Sequence, residues 1–263
     1  MNRMLSLAAV AVLAAGCTFN VEAASQEKQA RYDRTDFDAL VATWDDLPDG
    51  LAIHGRDEPG AAATASVVGL VAPGEAHRLD DARLDFVKRG GALELRLRAP
   101  GDRESLRFEW VDAQVARAAD LDVALENGDI EIGGMRGRVH AVAENGDLRV
   151  ATSGPIDLRA ENGDIRATGS SGTVVAENGN ASVRMQREFG DMRVESENGN
   201  VTVRVPRGAG CRLDLATENG TVSVRAGGVR VTRESGFYAV LGGDGPTIRV
   251  RAENGDVTVI DDD

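Results

Sequence analysis

Histidine, cysteine and carboxylate side chains build most active sites, and their spacing in this chain argues against one. The three histidines, His54, His77 and His140, are too scattered to indicate a metal centre or a catalytic triad. The sequence has no Gly-x-Ser-x-Gly nucleophile motif, no phosphate-binding loop and no closely spaced cysteine pair. We therefore predict no catalytic residue, no metal ligand and no cofactor.

Carboxylates are plentiful, and they recur in one motif. Glu-Asn-Gly occurs seven times, with its glutamates at Glu126, Glu144, Glu161, Glu177, Glu197, Glu218 and Glu253. If these corners stack, neighbouring carboxylates about 5 Å apart repel by about 0.8 kcal/mol per pair even in bulk water. Solvent, backbone N–H groups and nearby arginines are the expected compensation. Ca²⁺ binding is the alternative left open, although the motif is not the Gly-Gly-x-Gly-x-Asp repeat of calcium sites.

Arginines recur in the same frame. Seven residues after their glutamates lie Arg184, Arg204 and Arg225. Stacked, they would form a cationic strip able to hold an anionic polysaccharide, lipopolysaccharide phosphate or the carboxylates of another protein. Ordinary surface arginines lying over neighbouring side chains are the alternative.

Charge and pattern narrow the function class. The formal net charge is −13, which argues against a nucleic-acid partner because phosphate backbones select basic surfaces. A β-helical enzyme acting on polysaccharide is the enzymatic alternative, since such enzymes use clustered carboxylates. Here the acidic residues recur at every corner, a pattern that structure rather than one site would impose.

The elements that position these residues follow from the repeat. Successive glutamates are 18, 17, 16, 20, 21 and 35 residues apart, and apolar residues alternate on both sides of each Asn-Gly. A row of hairpins fits this pattern but would set Arg159 opposite Arg166, a like-charge pair. Stacked coils explain the period itself, because each coil buries little alone. We therefore predict an all-β single β-solenoid of two-strand coils of roughly 18 residues.

In this solenoid the corner asparagines would form a ladder that satisfies backbone and side-chain groups. Glycine would supply the positive φ that the corner needs. The predicted ladder consists of Asn127, Asn145, Asn162, Asn178, Asn198, Asn219 and Asn254.

The array extends beyond the seven motifs. The last, longest gap accommodates a further corner at Glu234-Ser235-Gly236, and residues 83–97 fit the frame around Arg89-Gly90-Gly91. Residues 51–71 could form a first, irregular coil. We expect the repeat domain over residues 49–260, with about eleven or twelve coils.

The N-terminal region departs from the repeat. Residues 1–16 resemble a lipoprotein signal peptide, and the small residues before Cys17 resemble a lipobox, which makes Cys17 the predicted lipid attachment site. Cys211 is predicted to be a small buried apolar residue. Residues 17–34 are expected to form a flexible tether. In residues 35–48, apolar side chains at helical spacing predict a short capping helix, while the final Asp261-Asp262-Asp263 would discourage end-to-end stacking.

The repeated "ENGD" corners and the ending "GGDGPTIRVRAENGDVTVI" (242–260) resemble the bacterial putative-adhesin β-strand-repeat family, a domain of unknown function. The resemblance implies a β-solenoid, often secreted, lipidated or membrane-tethered, with a cell-envelope role and no defined ligand. By similarity to Gram-negative sorting rules, Thr18 after the cysteine favours the outer membrane. We therefore expect a non-catalytic envelope lipoprotein acting as an adhesin-like or scaffolding module, with the membrane and an envelope glycan or protein as partners.

Overall fold

Two long β-sheets dominate the computed structural model, which describes residues 4–12, 18–33, 37–44, 48–57, 63–72, 75–99, 106–243 and 245–262. Sheet A has 13 strands, sheet B has 11, and a single short helix, α1 (His77–Asp81), interrupts them in the described residues. No helix in these residues is long and apolar enough to cross a membrane. The predicted all-β solenoid is confirmed.

The strands, in chain order, are β1 (Met4–Val12), β2 (Thr18–Tyr32), β3 (Ala39–Trp44), β4 (Gly50–Arg56), β5 (Ala63–Val71), β6 (Arg83–Arg89), β7 (Ala92–Arg98), β8 (Leu106–Ala116), β9 (Asp120–Asn127), β10 (Asp129–Gly133), β11 (Val139–Asn145), β12 (Leu148–Ala151), β13 (Ile156–Asn162), β14 (Ile165–Gly169), β15 (Gly172–Asn178), β16 (Ala181–Met185), β17 (Met192–Asn198), β18 (Val201–Pro206), β19 (Cys211–Asn219), β20 (Val222–Ala226), β21 (Val229–Arg233), β22 (Phe237–Leu241), β23 (Thr247–Asn254) and β24 (Val257–Asp262). Each Glu-Asn-Gly corner joins a strand of sheet B to a strand of sheet A. One such pair of strands is a level of the solenoid.

Levels stack in parallel register, so equivalent residues face one another. Leu158 of β13 pairs with Ala141 on one side and Val174 on the other. Because successive side chains of a strand point to opposite faces, every second residue enters the space between the sheets. The inward residues Leu158, Val174 and Ile165 are at most 1% exposed. The core is therefore one continuous aliphatic column, as the apolar alternation predicted.

The order of levels along the stack differs from their order in the chain at the C-terminal end. The last level, β23/β24, lies between β17/β18 and β19/β20. The end level β19/β20 therefore precedes, in the chain, the level that separates it from β17/β18. Asn254 accordingly pairs with Asn198 on one side and Asn219 on the other.

The N-terminal end shows the same arrangement. The level β3/β4 lies between β7/β8 and β9/β10, although it precedes both in the chain. The described stack thus has nine levels, in the spatial order β7/β8, β3/β4, β9/β10, β11/β12, β13/β14, β15/β16, β17/β18, β23/β24 and β19/β20. This count is lower than the predicted eleven or twelve coils, because several upstream segments form antiparallel strands.

The capping helix predicted over residues 35–48 is wrong, since β3 occupies its centre. Leu40, Ala42 and Trp44 are buried, which is the alternation of a strand, and β3 pairs in parallel with β7 and β9. The apolar residues Phe37, Leu40 and Trp44 also fit a helical spacing, so the local pattern was ambiguous. The segment forms a strand because β3 pairs with β7 on one side and β9 on the other.

Three other upstream predictions need correction. Arg89-Gly90-Gly91 is not a corner but the turn of a hairpin, in which β6 pairs antiparallel with β7 and Gly90 has φ +61°. Residues 51–71 do not form one coil, because β4 completes the level begun by β3 whereas β5 pairs antiparallel with β8. Much of the predicted tether is ordered, since residues 24–32 of β2 pair antiparallel with β5.

The remaining N-terminal predictions are unchanged by the structure. Residues 4–12 pair with β2 in the uncleaved chain. The signal peptide over residues 1–16 stays a prediction. Cys17 lies outside the described residues, so lipid attachment there also stays a prediction.

Two antiparallel strands, β21 and β22, form the C-terminal end of the stack. β21 pairs with β20 and β22 with β19, and Glu234-Ser235-Gly236 joins them. This segment is a corner, as predicted, but the chain passes it from sheet A to sheet B, opposite to the other corners, so Glu234-Ser235-Gly236 does not enter the asparagine ladder. Asp261 and Asp262 do not lie at the end of the stack, because β24 is inside it and Asp261 accepts a hydrogen bond from the Gly227 N–H.

Candidate functional site

The corner asparagines form one column of side-chain hydrogen bonds. Each Nδ2 donates to the Oδ1 of the asparagine on the level before it, at 3.0–3.2 Å. In spatial order, this asparagine ladder contains Asn127, Asn145, Asn162, Asn178, Asn198, Asn254 and Asn219. The structure thus brings together all seven asparagines predicted to stack.

A second column runs two residues after the ladder. The Oδ1 atom of Asp129 accepts the Asp147 N–H at 2.8 Å, and Asp147 accepts the Asp164 N–H at 2.9 Å. The column continues in spatial order through Asn180, Asn200, Asp256 and Thr221. The two Thr221 hydrogen bonds, from its N–H and its hydroxyl, hold the pKa of Asp256 below its usual range.

The corner glycines lie between the two columns, and steric crowding leaves no room there for a Cβ atom. A Cβ on Gly146, Gly163 or Gly179 would stand 2.1 Å from the carbonyl oxygen of the glycine on the preceding level. Gly128 and Gly255 alone among the corner glycines have positive φ, so the predicted conformational reason is wrong for most corners. The corner is built of glycine because the levels stack too closely for any side chain.

The glutamate row lies on the surface beside the asparagine ladder. Glu144, Glu197, Glu218 and Glu253 are exposed, and Arg159 bridges to Glu177 of the next level. Within the described ranges, no group of three or more histidine, cysteine or carboxylate residues is placed to hold a metal ion. Arginine thus compensates the row at Glu177, and calcium binding to it stays a prediction to be tested.

The three arginines of the predicted cationic strip all project from the outer face of sheet A, but they are not contiguous. Arg184 pairs with Arg204 on the adjacent strand. Arg204 next faces Ile260, and Ile260 faces Arg225, because β24 is inserted between β18 and β20. The strip prediction is therefore correct for Arg184 and Arg204 and wrong in placing Arg225 directly beside them.

Sequence reasoning missed two further arginines on this face. Arg149 and Arg166 face each other on adjacent strands, two residues nearer the corner than Arg184 and Arg204. Together with Arg184 and Arg204 they border a shallow depression of about 380 Å³, whose floor includes the small residues Gly133, Ala151 and Thr168. We call these four arginines and this depression the sheet A groove. The sequence contains the pattern that could have identified them, because each arginine lies five residues after the glutamate of its corner, in Leu-Arg-Val and Ile-Arg-Ala.

The charge state of the sheet A groove is uneven. Arg149 is held by Asp147 at 2.7 Å and Asp129 at 3.2 Å, and Arg184 lies 3.1 Å from Asp262. Arg204 forms no ion pair with any residue of the described chain. Arg166 lies 3.4 Å from Asp164, so Arg204 carries the unpaired positive charge of the groove.

The described residues form two other depressions. One of about 730 Å³ lies among β2, β4, β5 and β8 and is lined by polar residues that include His54 and Asp112. The other, of about 490 Å³, lies on sheet B beside Glu197, Glu218 and Glu253. Its glutamates belong to the regular row, so they do not form a carboxylate pair set apart from the repeat.

Three further titratable groups have described surroundings. Cys211 is fully buried, as predicted, and burial raises the pKa of its thiol. His140 is partly exposed and lies 3.3 Å from Asp157. Burial raises the pKa of Asp214, but hydrogen bonds from Arg251 and Arg249 outweigh it and hold that pKa below its usual range.

Comparison with known proteins gives a family match for the C-terminal part. Residues 150–260 match the model of the family described as Toastrack DUF4097. The resemblance to a domain of unknown function of the putative-adhesin type is thereby confirmed for these residues. No curated protein matches the chain.

Solved structures that match this chain do so over most of its length, at low identity. A putative cell adhesion protein from Clostridium sporogenes is 14% identical with a TM-score of 0.36, over 90% of this chain and 100% of that one. A putative adhesin from Parabacteroides distasonis is 12% identical with a TM-score of 0.46, over 90% and 97% of the two chains. A putative lipid binding protein from the same organism is 10% identical with a TM-score of 0.36, over 90% and 96%.

Proposed function

Starting from a chain whose residues 150–260 resemble the Toastrack DUF4097 family, we propose that it is a non-catalytic, adhesin-like lipoprotein of the cell envelope that binds acidic polysaccharide along the sheet A groove. The observation that carries the proposal is the row of arginines beside a depression, on a protein of net charge −13. Among the described residues, Arg204 forms no ion pair and Arg184 is paired with a single carboxylate, Asp262, so this end of the row can accept an anionic group of a ligand.

The shape of the groove suits an extended polymer. Neighbouring strands are about 4.8 Å apart, so arginines on successive levels recur at a short, regular interval along the stack. Gly133, Ala151 and Thr168 keep the floor low, which lets a chain of sugars approach the sheet. Arginine side chains can bind carboxylate or phosphate groups with two parallel hydrogen bonds.

Binding is tested with purified protein and three immobilised glycans: polygalacturonate, which carries carboxylates, lipopolysaccharide, which carries phosphates, and neutral dextran. Replacing both Arg184→Gln and Arg204→Gln should raise Kd for the acidic glycans at least about 10-fold, because the loss of even one charge-assisted hydrogen bond costs about 1.5–3 kcal/mol. Dextran should not bind. A carboxylate-only or phosphate-only response identifies the recognised group.

The matched control uses the other face of the solenoid. Arg193 and Arg249 are also adjacent in parallel register, on sheet B, but both are paired with carboxylates, whereas Arg204 of the sheet A pair is not paired with any in the described chain. The double replacement Arg193→Gln and Arg249→Gln should leave binding unchanged. Equal losses in the two double variants, or depolymerisation of the glycan by wild-type protein, would contradict the proposal; the second result would favour the polysaccharide-acting enzyme instead.

The envelope location rests on Cys17, which we propose as the lipid attachment site of a protein anchored in the outer membrane. Several acyl chains on one cysteine anchor stably, whereas a single chain holds only marginally. We expect Cys17→Ser to move the protein from the membrane fraction to the soluble fraction and to abolish incorporation of radiolabelled palmitate. The control, Cys211→Ser at the buried cysteine, should keep the palmitate label.

A further inference from the structure

The C-terminal end of the solenoid leaves two strand edges open. β21 is the last strand of sheet A and β22 the last strand of sheet B, and no described strand pairs with their outer sides. An edge strand presents unpaired backbone N–H and C=O groups, which can pair with a strand of another chain. These two edges lie on the same end of the stack, so one partner could engage both.

The core is also incomplete at this end. The inward-facing Val229, Val231, Phe237 and Ala239 pack against the core but are only partly buried. Equivalent inward residues of interior levels, such as Val194 and Val203, are fully buried. The end therefore exposes apolar surface that one more level would cover.

The sequence of β22 does not protect this edge. Its five residues, Phe-Tyr-Ala-Val-Leu, carry no charge, and the outward-facing Tyr238 and Val240 are 65% and 46% exposed. The opposite end differs, because the edge strand β6 contains Arg83, Asp85, Lys88 and Arg89. Charged residues on an edge strand discourage pairing, so the uncharged β22 is the edge of sheet B suited to a partner. The other C-terminal edge, β21, carries Arg230 and Arg233, so a partner must pair with it in a register that keeps like charges apart.

A second copy of this chain fits both edges at once. Val231 and Ala239 lie at equal distances in the chain from Ser235, the middle of the corner, and each is the central residue of its strand. Consider a two-fold axis perpendicular to the sheets that passes midway between Val231 and its copy and between Ala239 and its copy. It would pair β22 of one chain with β22 of the other, and β21 with β21, both antiparallel. In that register Tyr238 faces Val240 of the second copy, and Arg230 faces Thr232.

We propose that the protein forms an end-to-end dimer through β21 and β22. No like charges face each other directly in this register, and the apolar residues of the two ends cover each other. The interface is isologous and therefore closes at two copies rather than growing into a filament. Arg225 and Arg230 lie near the joint, so the dimer would also bring the arginines of the two sheet A surfaces together.

The test measures self-association of the purified full chain by sedimentation velocity over a range of concentrations. Tyr238→Lys with Val240→Lys places two opposed pairs of like charges across the proposed joint, and so does Tyr238→Glu with Val240→Glu. Each double variant should raise the dimer Kd at least about 10-fold, since like charges directly opposite destabilise strand pairing. An equimolar mixture of the two variants should restore dimers, because the opposed charges then attract.

The control places the same two lysines on the middle of sheet B, with Thr173→Lys and Val175→Lys on β15. This variant should dimerise like wild-type protein. Because both altered residues of β22 point outward, we expect folding to be retained, and circular dichroism checks it. A monomeric wild-type chain at all concentrations, undiminished association of the charged variants, or a mixture that stays monomeric would each overturn the proposal.

Discussion

Replacing Gly163 with alanine is expected to destabilise the protein by at least about 4 kcal/mol, an unusually large effect for one methyl group. The added Cβ would lie 2.1 Å from the Gly146 carbonyl oxygen and 2.6 Å from its carbon. Both are backbone atoms held in the stack, because the Gly146 N–H donates to the Asn162 carbonyl oxygen at 3.1 Å. Relief of the clash therefore requires adjacent levels to separate, which breaks the hydrogen bonds between them.

The size of the effect distinguishes stacking from turn conformation as the reason for glycine. If positive φ were the only requirement, as in a hairpin turn, alanine would cost about 1–2 kcal/mol. Gly210→Ala is the control, since its Cβ would meet its nearest atom, the Gly242 carbonyl oxygen, at 3.5 Å. Urea unfolding should place Gly210→Ala within about 1 kcal/mol of wild type. Similar midpoints for the two variants would contradict the stacked corner.

The central levels could be predicted from the sequence because the same strand, corner and strand recur in each repeat. Alternation around each corner gave the inward residues, and the recurrence of Asn gave the ladder with its register, as at Asn145 and Asn162. The physical cause of the glycine was not predictable, since closeness between levels is a property of the assembled stack. Gly163 shows this, because its motif equally suits a hairpin turn.

The ends were not predictable because they depend on contacts between distant parts of the chain. The segment containing Leu40 and Trp44 fits a helix or a strand locally, and only its pairing with β7 and β9 decides. For the same reason the arginine strip was misjudged, since nothing in the repeat indicates that Ile260 separates Arg204 from Arg225. Repeat spacing specifies each level, whereas the order of levels is set by long-range pairing.

The inserted position of the last level makes truncation there far more damaging than loss of a terminal repeat. Removing residues 245–263 takes β23 and β24 from between β17/β18 and β19/β20. The level contributes Ile248, Val250, Val257 and Val259, all fully buried. At about 1.5–3 kcal/mol for each side chain, its burial is worth on the order of 10 kcal/mol, comparable to the whole stability of a domain. We expect the truncated chain to lack a cooperative thermal transition.

Excision of an interior level gives the matched comparison, because there the chain order and the spatial order agree. Deleting residues 163–178 joins Asn162 to Gly179 and preserves an Asn-Gly corner. β13 can then pair with β17 in the register that β15 transmitted, with Ile156 facing Met192, and β16 can pair with β12. Nearest-neighbour contacts are rebuilt, so this shortened solenoid should unfold cooperatively, at a lower temperature than wild type. Circular dichroism melts decide between the two deletions. A cooperative transition after truncation would mean that the inserted level is an ordinary end repeat, whereas none after excision would mean that β13 and β17 do not pair again.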